Sequence, residues 1–148
     1  MISCDTNILF IALESSRPHH GQARAFLNGL ADNAEFALCE LCLLELYVLL
    51  RNPATARHPL ASENAAALIQ GLRTNPRWDV IDYPGPSAGL MEDLWRVAST
   101  PDFARRRVFD ARLALTLRHH GVTDFATTHQ KDFQDFGFTR VWNPLEDQ

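Results

Sequence analysis

The chain has 148 residues, 46% of them hydrophobic and 22% charged, the size and balance of one globular domain and not of a disordered chain. Lys and Arg number 14 against 18 Asp and Glu, a net charge of −4. That argues against a protein that coats nucleic acid by bulk charge, and leaves room for a basic patch beside an acidic site. There is no apolar run of roughly eighteen residues to span a membrane, and Met1-Ile2-Ser3-Cys4-Asp5 lacks the basic start of a secretory signal. A cytoplasmic protein with no membrane partner is the default expectation.

Residues 1–4 read as a short strand that ends at Asp5. Residues 6–13 carry Ile8, Leu9, Ile11 and Ala12 and read as a helix. Pro18 suits the first turn of the next helix, where Ala23, Phe26, Leu27 and Leu30 follow at helical intervals. Residues 35–39 form a second strand. Residues 41–50 form a strongly apolar helix that carries one acid, Glu45, and stops at Asn52-Pro53. Ser62 opens a helix that ends at Asn75-Pro76, and residues 78–81 make a third strand. After the turn Pro84-Gly85-Pro86, residues 90–98 are helical and Thr100-Pro101-Asp102 breaks the pattern. Residues 110–120 form another helix, closed by Gly121 at its C′ position. Residues 124–127 and 140–142 are the last strands. This alternation predicts a single α/β domain over residues 1–148, with a central parallel sheet of four to five short strands and helices on both faces.

Three cysteines, Cys4, Cys39 and Cys42, cannot all pair within one chain. Cys39 and Cys42 form a C-x-x-C where strand passes to helix, the place of a redox motif. Leu38, Leu41, Leu43 and Leu44 surround them, which suits buried thiols better. No second Cys pair or H-x3-5-H group completes a zinc site. The basic residues are nearly all Arg, with Lys131 the single Lys. Arg forks grip phosphate, although genomic base composition produces the same bias.

In open α/β sheets ligands bind beyond the carboxyl ends of the strands. Asp5 falls there, directly after the first strand. Asp110 falls at the start of its helix. Glu45, one turn into the helix after the second strand, can face the same edge. The loop after residues 124–127 adds Thr128, His129 and Asp132. Glu45 interrupts an apolar run, where a buried carboxylate needs a compensating cation; one structural salt bridge to an Arg would also serve. Asp5 and Asp110 have a plainer role open to them as helix N-caps, with Phe109 as the staple residue before Asp110. Clustered carboxylates drive one of their number to protonate unless a cation sits among them. An all-oxygen set favours Mg²⁺ or Mn²⁺ over zinc or copper and suits metal-assisted phosphodiester cleavage.

Four segments carry a resemblance: Ile2-Ser3-Cys4-Asp5-Thr6-Asn7-Ile8-Leu9, Leu44-Glu45-Leu46, Phe109-Asp110-Ala111-Arg112-Leu113-Ala114, and Phe125-Ala126-Thr127-Thr128-His129-Gln130-Lys131-Asp132-Phe133. In this order and spacing the chain resembles the PIN-domain ribonucleases, and more closely the VapC-type toxins of toxin–antitoxin pairs. The resemblance spans essentially the whole chain. It implies a three-layer PIN-like fold and a Mg²⁺-dependent endoribonuclease, with Mn²⁺ as an alternative ion. It also implies an RNA substrate, a cognate antitoxin and a second copy of the chain as partners. Asp5, Glu45 and Asp110 match the family's metal-holding acids, and Asp132 is the best match for a fourth. His129 stands where the family has Asn or Asp. Thr6, Asn7 and Thr127 match positions that hold water or orient the acids. Arg105, Arg106, Arg107 and Arg112 form the nearest basic patch for RNA, or else a solvated loop paired with Asp102 and nearby acids.

The rival readings come from other classes. A degenerate PIN-like fold would only bind a partner. A haloacid-dehalogenase-like phosphotransferase would use Asp5 as nucleophile, but wants a second Asp where Asn7 stands and a Lys for which only Lys131 is present. A redox protein would need a low thiol pKa at Cys39.

Overall fold

The computed structural model describes residues 1–146. Its five strands are β1 (Ile2–Cys4), β2 (Phe36–Cys39), β3 (Asp79–Ile81), β4 (Asp124–Ala126) and β5 (Arg140–Trp142). All pairings are parallel, in the order β3-β2-β1-β4-β5. Parallel neighbours need long crossovers, and helices supply them. The helices are α1 (Thr6–Leu13), α2 (His20–Gly29), α3 (Glu40–Arg51), α4 (Ser62–Arg73), α5 (Ala88–Ala98), α6 (Arg107–His119) and α7 (Gln130–Phe133), with a 3₁₀ turn over Gln134–Phe136. Among these, none is long and apolar enough to cross a membrane.

Alternate residues of a strand point to opposite faces. Every residue of β2 is buried, so both faces of the sheet are covered, as the apolar strand sequences require. Ile8 and Leu9 of α1, Leu43 and Leu46 of α3, and Leu117 of α6 fill the core beside Phe36 and Phe125. The ring of Phe125 meets that of Phe133 at 4.8 Å and stacks on Phe138 at 5.4 Å.

The chain runs outward from β1 to β2 and β3, then returns to lay β4 on the other side of β1. Strand order therefore reverses between β1 and β4. At such a switch point the connections leave in opposite directions and open a crevice beyond the strand ends. Asp5 follows β1 there, its N–H bonded to the Ala126 carbonyl of β4 at 2.9 Å.

Several expectations shift. Pro18 lies ahead of α2, because His19 takes a left-handed conformation (φ 63°) that blocks helical continuity before His20. α6 begins at Arg107, three residues earlier than expected. Arg107 is drawn in by Asp135 at 3.3 Å and lies over the rings of Phe103 and Phe136. Asp110 is thus inside the first turn and not its cap, and Phe109 is exposed instead of stapling the helix. α7 is too short to leave a periodic signal. Sequence reasoning also missed Glu14, a buried acid whose Oε1 accepts from the Ser16 N–H and hydroxyl and whose Oε2 accepts from the Arg57 N–H. These bonds tie the loop after α1 to the loop after α3 and hold the Glu14 carboxyl below its ordinary pKa.

Truncating Phe125 removes the ring that joins β4 to Phe133 and Phe138. Phe125→Ala should cost about 3–5 kcal/mol, read as a lower denaturant midpoint in equilibrium unfolding. An unchanged midpoint would show that the three-ring cluster does not anchor this half of the sheet.

Candidate active site

Asp5 is 9% exposed. It occupies the cap position of α1, but its side chain makes no capping bond. Its Oδ2 instead accepts from the Thr127 hydroxyl at 2.7 Å and from Asn7 Nδ2 at 2.7 Å. Thr127, fully buried after β4, also accepts from the His129 N–H at 3.0 Å, and Asn7 Oδ1 accepts from the Thr128 N–H at 3.4 Å. One network therefore fixes the first acid and the loop holding His129. Burial, and secondarily the charge of Glu45, push the Asp5 carboxyl above its ordinary range; the Thr127 bond opposes them.

Glu45 projects from α3, and its Oε2 accepts from the Thr6 hydroxyl at 2.8 Å. The residue is exposed, as are Leu44 and Val48 beside it. The expectation of a buried charge is overturned: α3 turns this strip of its apolar surface outward, so Glu45 stands at an open rim. Among the described residues, no Arg pairs with it either. Asp110, half-buried on α6, is pushed up to about 6 from an ordinary 3.8. Burial is the main cause, followed by the charges of Asp132, Asp5 and Glu45, with His129 pulling the other way.

The three acids line one cavity of about 520 Å³ together with Thr6, Asn7, Arg106 and His129. Val48 and Leu49 form its apolar wall. Sequence reasoning passed over these two, although they follow Glu45 at i+3 and i+4 on the same helix face. Asp132 is outside: it borders a neighbouring depression with Lys131 and Glu146 and reaches Asp110 through charge alone. The arginines separate. Arg106 is on the cavity wall, Arg107 is held by Asp135, Arg112 lies 4.7 Å over the Tyr83 ring, and Arg105 is exposed off the wall.

Among the described residues, no cationic side chain comes within 4.0 Å of the carboxylates of Asp5, Glu45 or Asp110. Nor do any three carboxylate, imidazole or thiol groups converge tightly enough to share an ion directly. The donor chemistry still fits a hard divalent cation. The oxygens are carboxylate and hydroxyl, the acids repel without compensation, and Mg²⁺ is held by one or two carboxylates while keeping several waters.

The rival chemistries find less. Asn7 spends its amide on Asp5, and Lys131 is off the cavity, so the phosphotransferase set does not assemble. A bond from Cys42 lowers the Cys39 thiol below its usual range, the direction a redox motif needs. Cys39 is only 1% exposed and Cys42 fully buried, which denies access to a redox partner.

The family model described as the PIN domain matches residues 2–138. The chain is 51% identical over 145 residues to Ribonuclease VapC24 of Mycobacterium tuberculosis, covering 98% of this chain and 97% of that protein. The fold is similar to the crystal structure of VapC20 of Mycobacterium tuberculosis, described as a Sarcin-Ricin loop cleaving toxin, with TM-score 0.67 and 19% identity over 93% of this chain and 96% of that one. It is also similar to FitAcB from Neisseria gonorrhoeae, with TM-score 0.64 and 22% identity over 99% and 100% of the two chains.

The raised pKa of Asp110 has a stability consequence in metal-free protein. Its folded value is above the unfolded one, so stability from this residue is full below about pH 4 and is lost as pH rises to about 6. Asp110→Asn removes that loss. In EDTA the variant should be more stable than wild type at pH 7 by about 1 kcal/mol, after allowing for screening at a half-exposed site. The two should converge near pH 4. Urea unfolding at both pH values checks this, and a variant less stable at pH 7 would refute it.

Proposed function

The chain belongs to the PIN-domain family, and we propose that it works as a metal-dependent endoribonuclease, the toxin of a toxin–antitoxin pair. The reading rests on one observation. Three unpaired carboxylates, delivered by the end of β1, by α3 and by α6, line a single cavity at the switch point of the sheet. Likeness to a protein named a ribonuclease over nearly the whole of both chains supports RNA as the substrate.

Asp5, Glu45 and Asp110 would hold Mg²⁺ or Mn²⁺. A bound divalent ion supplies an activated water as nucleophile and a counter-charge for the phosphate. The side chains of the chain do the rest. Thr127 and Asn7 hold Oδ2 of Asp5, and Thr6 holds Oε2 of Glu45, so two of the acids are set before anything binds. Val48 and Leu49 give the cavity an apolar wall beside the acids. Arg106 faces the same space and suits a backbone phosphate of the RNA. Asp132 acts from outside, by keeping Asp110 basic. The exposed Leu44 and Val48 on α3 and Trp95 on α5 offer apolar surface for the cognate antitoxin or a second copy of the chain. Among the described residues no three ligand groups cluster tightly, which favours one alternative, a PIN fold that binds RNA or a partner without cutting.

Purified protein should cleave RNA with Mg²⁺ or Mn²⁺ and stop in EDTA. Asp110→Asn and Glu45→Gln, prepared in parallel, should each lower the rate on the order of a thousandfold. Cleavage that survives EDTA and both substitutions would overturn the metal site. No cleavage and no calorimetric metal binding would leave the non-catalytic fold.

A further inference from the structure

The first turn of α6 carries an exposed aromatic ring between two residues of the acid cavity wall, Arg106 and Asp110. Phe109 is 61% exposed. An exposed apolar side chain alone means little, so its surroundings decide. On a helix, residues three and four apart are neighbours. For Phe109 these include Arg106 before it and Arg112 after it, while Arg105 lies ahead of α6. Phe109 donates its N–H to the Arg106 carbonyl at 3.2 Å, so the helical relation to Arg106 is formed. The i+4 neighbour, Leu113, is buried. Among the described residues, none of these three arginines has an acidic partner within 4.0 Å. The next residue in the chain is Asp110, which lines the cavity with Arg106.

Two of the other exposed apolar side chains differ. Leu44 and Val48 neighbour each other and Tyr47 on α3, the composition of a surface that meets protein. A ring flanked on its helix by two guanidinium groups without acidic partners, Arg106 and Arg112 (the latter lying over the Tyr83 ring), is matched by a ligand that offers a π face between negative charges. RNA with an unpaired base is such a ligand: every base has a face to stack, and the phosphates on either side meet the arginines. A base still paired in a duplex keeps its faces covered.

We propose that Phe109 is the platform of a subsite for one unpaired nucleobase next to the phosphate that is cut, with Arg106 and Arg112 contacting the flanking phosphates. This rests on the ribonuclease reading. It makes Phe109 a determinant of which RNA is cut, with no part in the bond-breaking step.

Binding of a short single-stranded oligoribonucleotide and of the same sequence as a duplex, followed by fluorescence anisotropy in EDTA, separates recognition from cleavage. Phe109→Ala should weaken single-strand binding about tenfold and leave duplex binding unchanged, and Phe109→Trp should restore it. Arg106→Ala should weaken both RNAs and reduce the salt dependence by about one counterion. Fluorescence of a 2-aminopurine in the strand should be quenched on wild type and not on Phe109→Ala, with both proteins melting together. Wild-type affinity in Phe109→Ala, or equal loss for both RNAs, overturns the subsite. If Phe109→Ala keeps its RNA affinity and instead shifts self-association in sedimentation, the ring belongs to a contact between copies. In each of these cases metal-dependent cleavage by wild type would persist. Failure to bind or cleave any RNA would overturn the ribonuclease reading as well.

Discussion

A hydrogen bond between residues 122 positions apart sets the geometry of the site. The Thr127 hydroxyl donates to Asp5 at the two strand ends where the sheet order reverses. Because β1 and β4 are adjacent and parallel, with Cys4 opposite Ala126, the residues that follow them must emerge side by side. The crevice between the diverging connections is then lined by whatever those residues carry. Here they carry a carboxylate and the hydroxyl that fixes it. Asn7 completes the link by donating to Asp5 and accepting from the Thr128 N–H. The loop bearing His129 is thereby held by the same bonds as the first acid.

This arrangement works against the stability of the isolated chain. Burial and mutual repulsion raise Asp5 and Asp110 above their ordinary pKa values. A fold selected only for stability would pair these acids with arginine or replace them. Elsewhere the chain does so: Glu40 pairs with Arg73 at 2.6 Å, and Glu14 is satisfied by Ser16 and the Arg57 N–H. The acids of the cavity have no such partner, and a cation would relieve them.

Parts of this were legible in the sequence for sound reasons. Alternating strand and helix signals specified a parallel sheet, and a carboxylate directly after an apolar strand placed Asp5 at the ligand edge. Glu45 was legible for a reason that does not hold. An acid in a run of leucines reads as a buried charge, but α3 exposes Leu44 and Val48, so the apolar run marks a surface and not the core alone. Asp110 was found through its segment, while its local role was misread: the pull of Asp135 and two aromatic rings on Arg107 starts α6 early, and no local pattern reports a tertiary contact of that kind. The division of labour among the arginines was hidden for the same reason. Arg105, Arg106 and Arg107 are consecutive in sequence, yet they straddle the start of α6 and meet different surroundings. Which one meets the cavity depends on where the helix begins.

That starting point carries a functional consequence. With α6 opening at Arg107, Arg106 and Asp110 are four apart and share the cavity wall. A pair so spaced would ordinarily associate, yet Asp110 is raised and not lowered, and Arg106 is not among the charges acting strongly on it. The guanidinium thus faces the cavity without neutralising its acids. Were it bonded to Asp110, the metal-free protein would gain stability, the acid would lose its claim on a cation, and the arginine its claim on a phosphate. Keeping the two charges on one wall but unpaired leaves both available to a ligand that brings opposite charges of its own: a divalent ion for the carboxylates and a phosphodiester for the arginine.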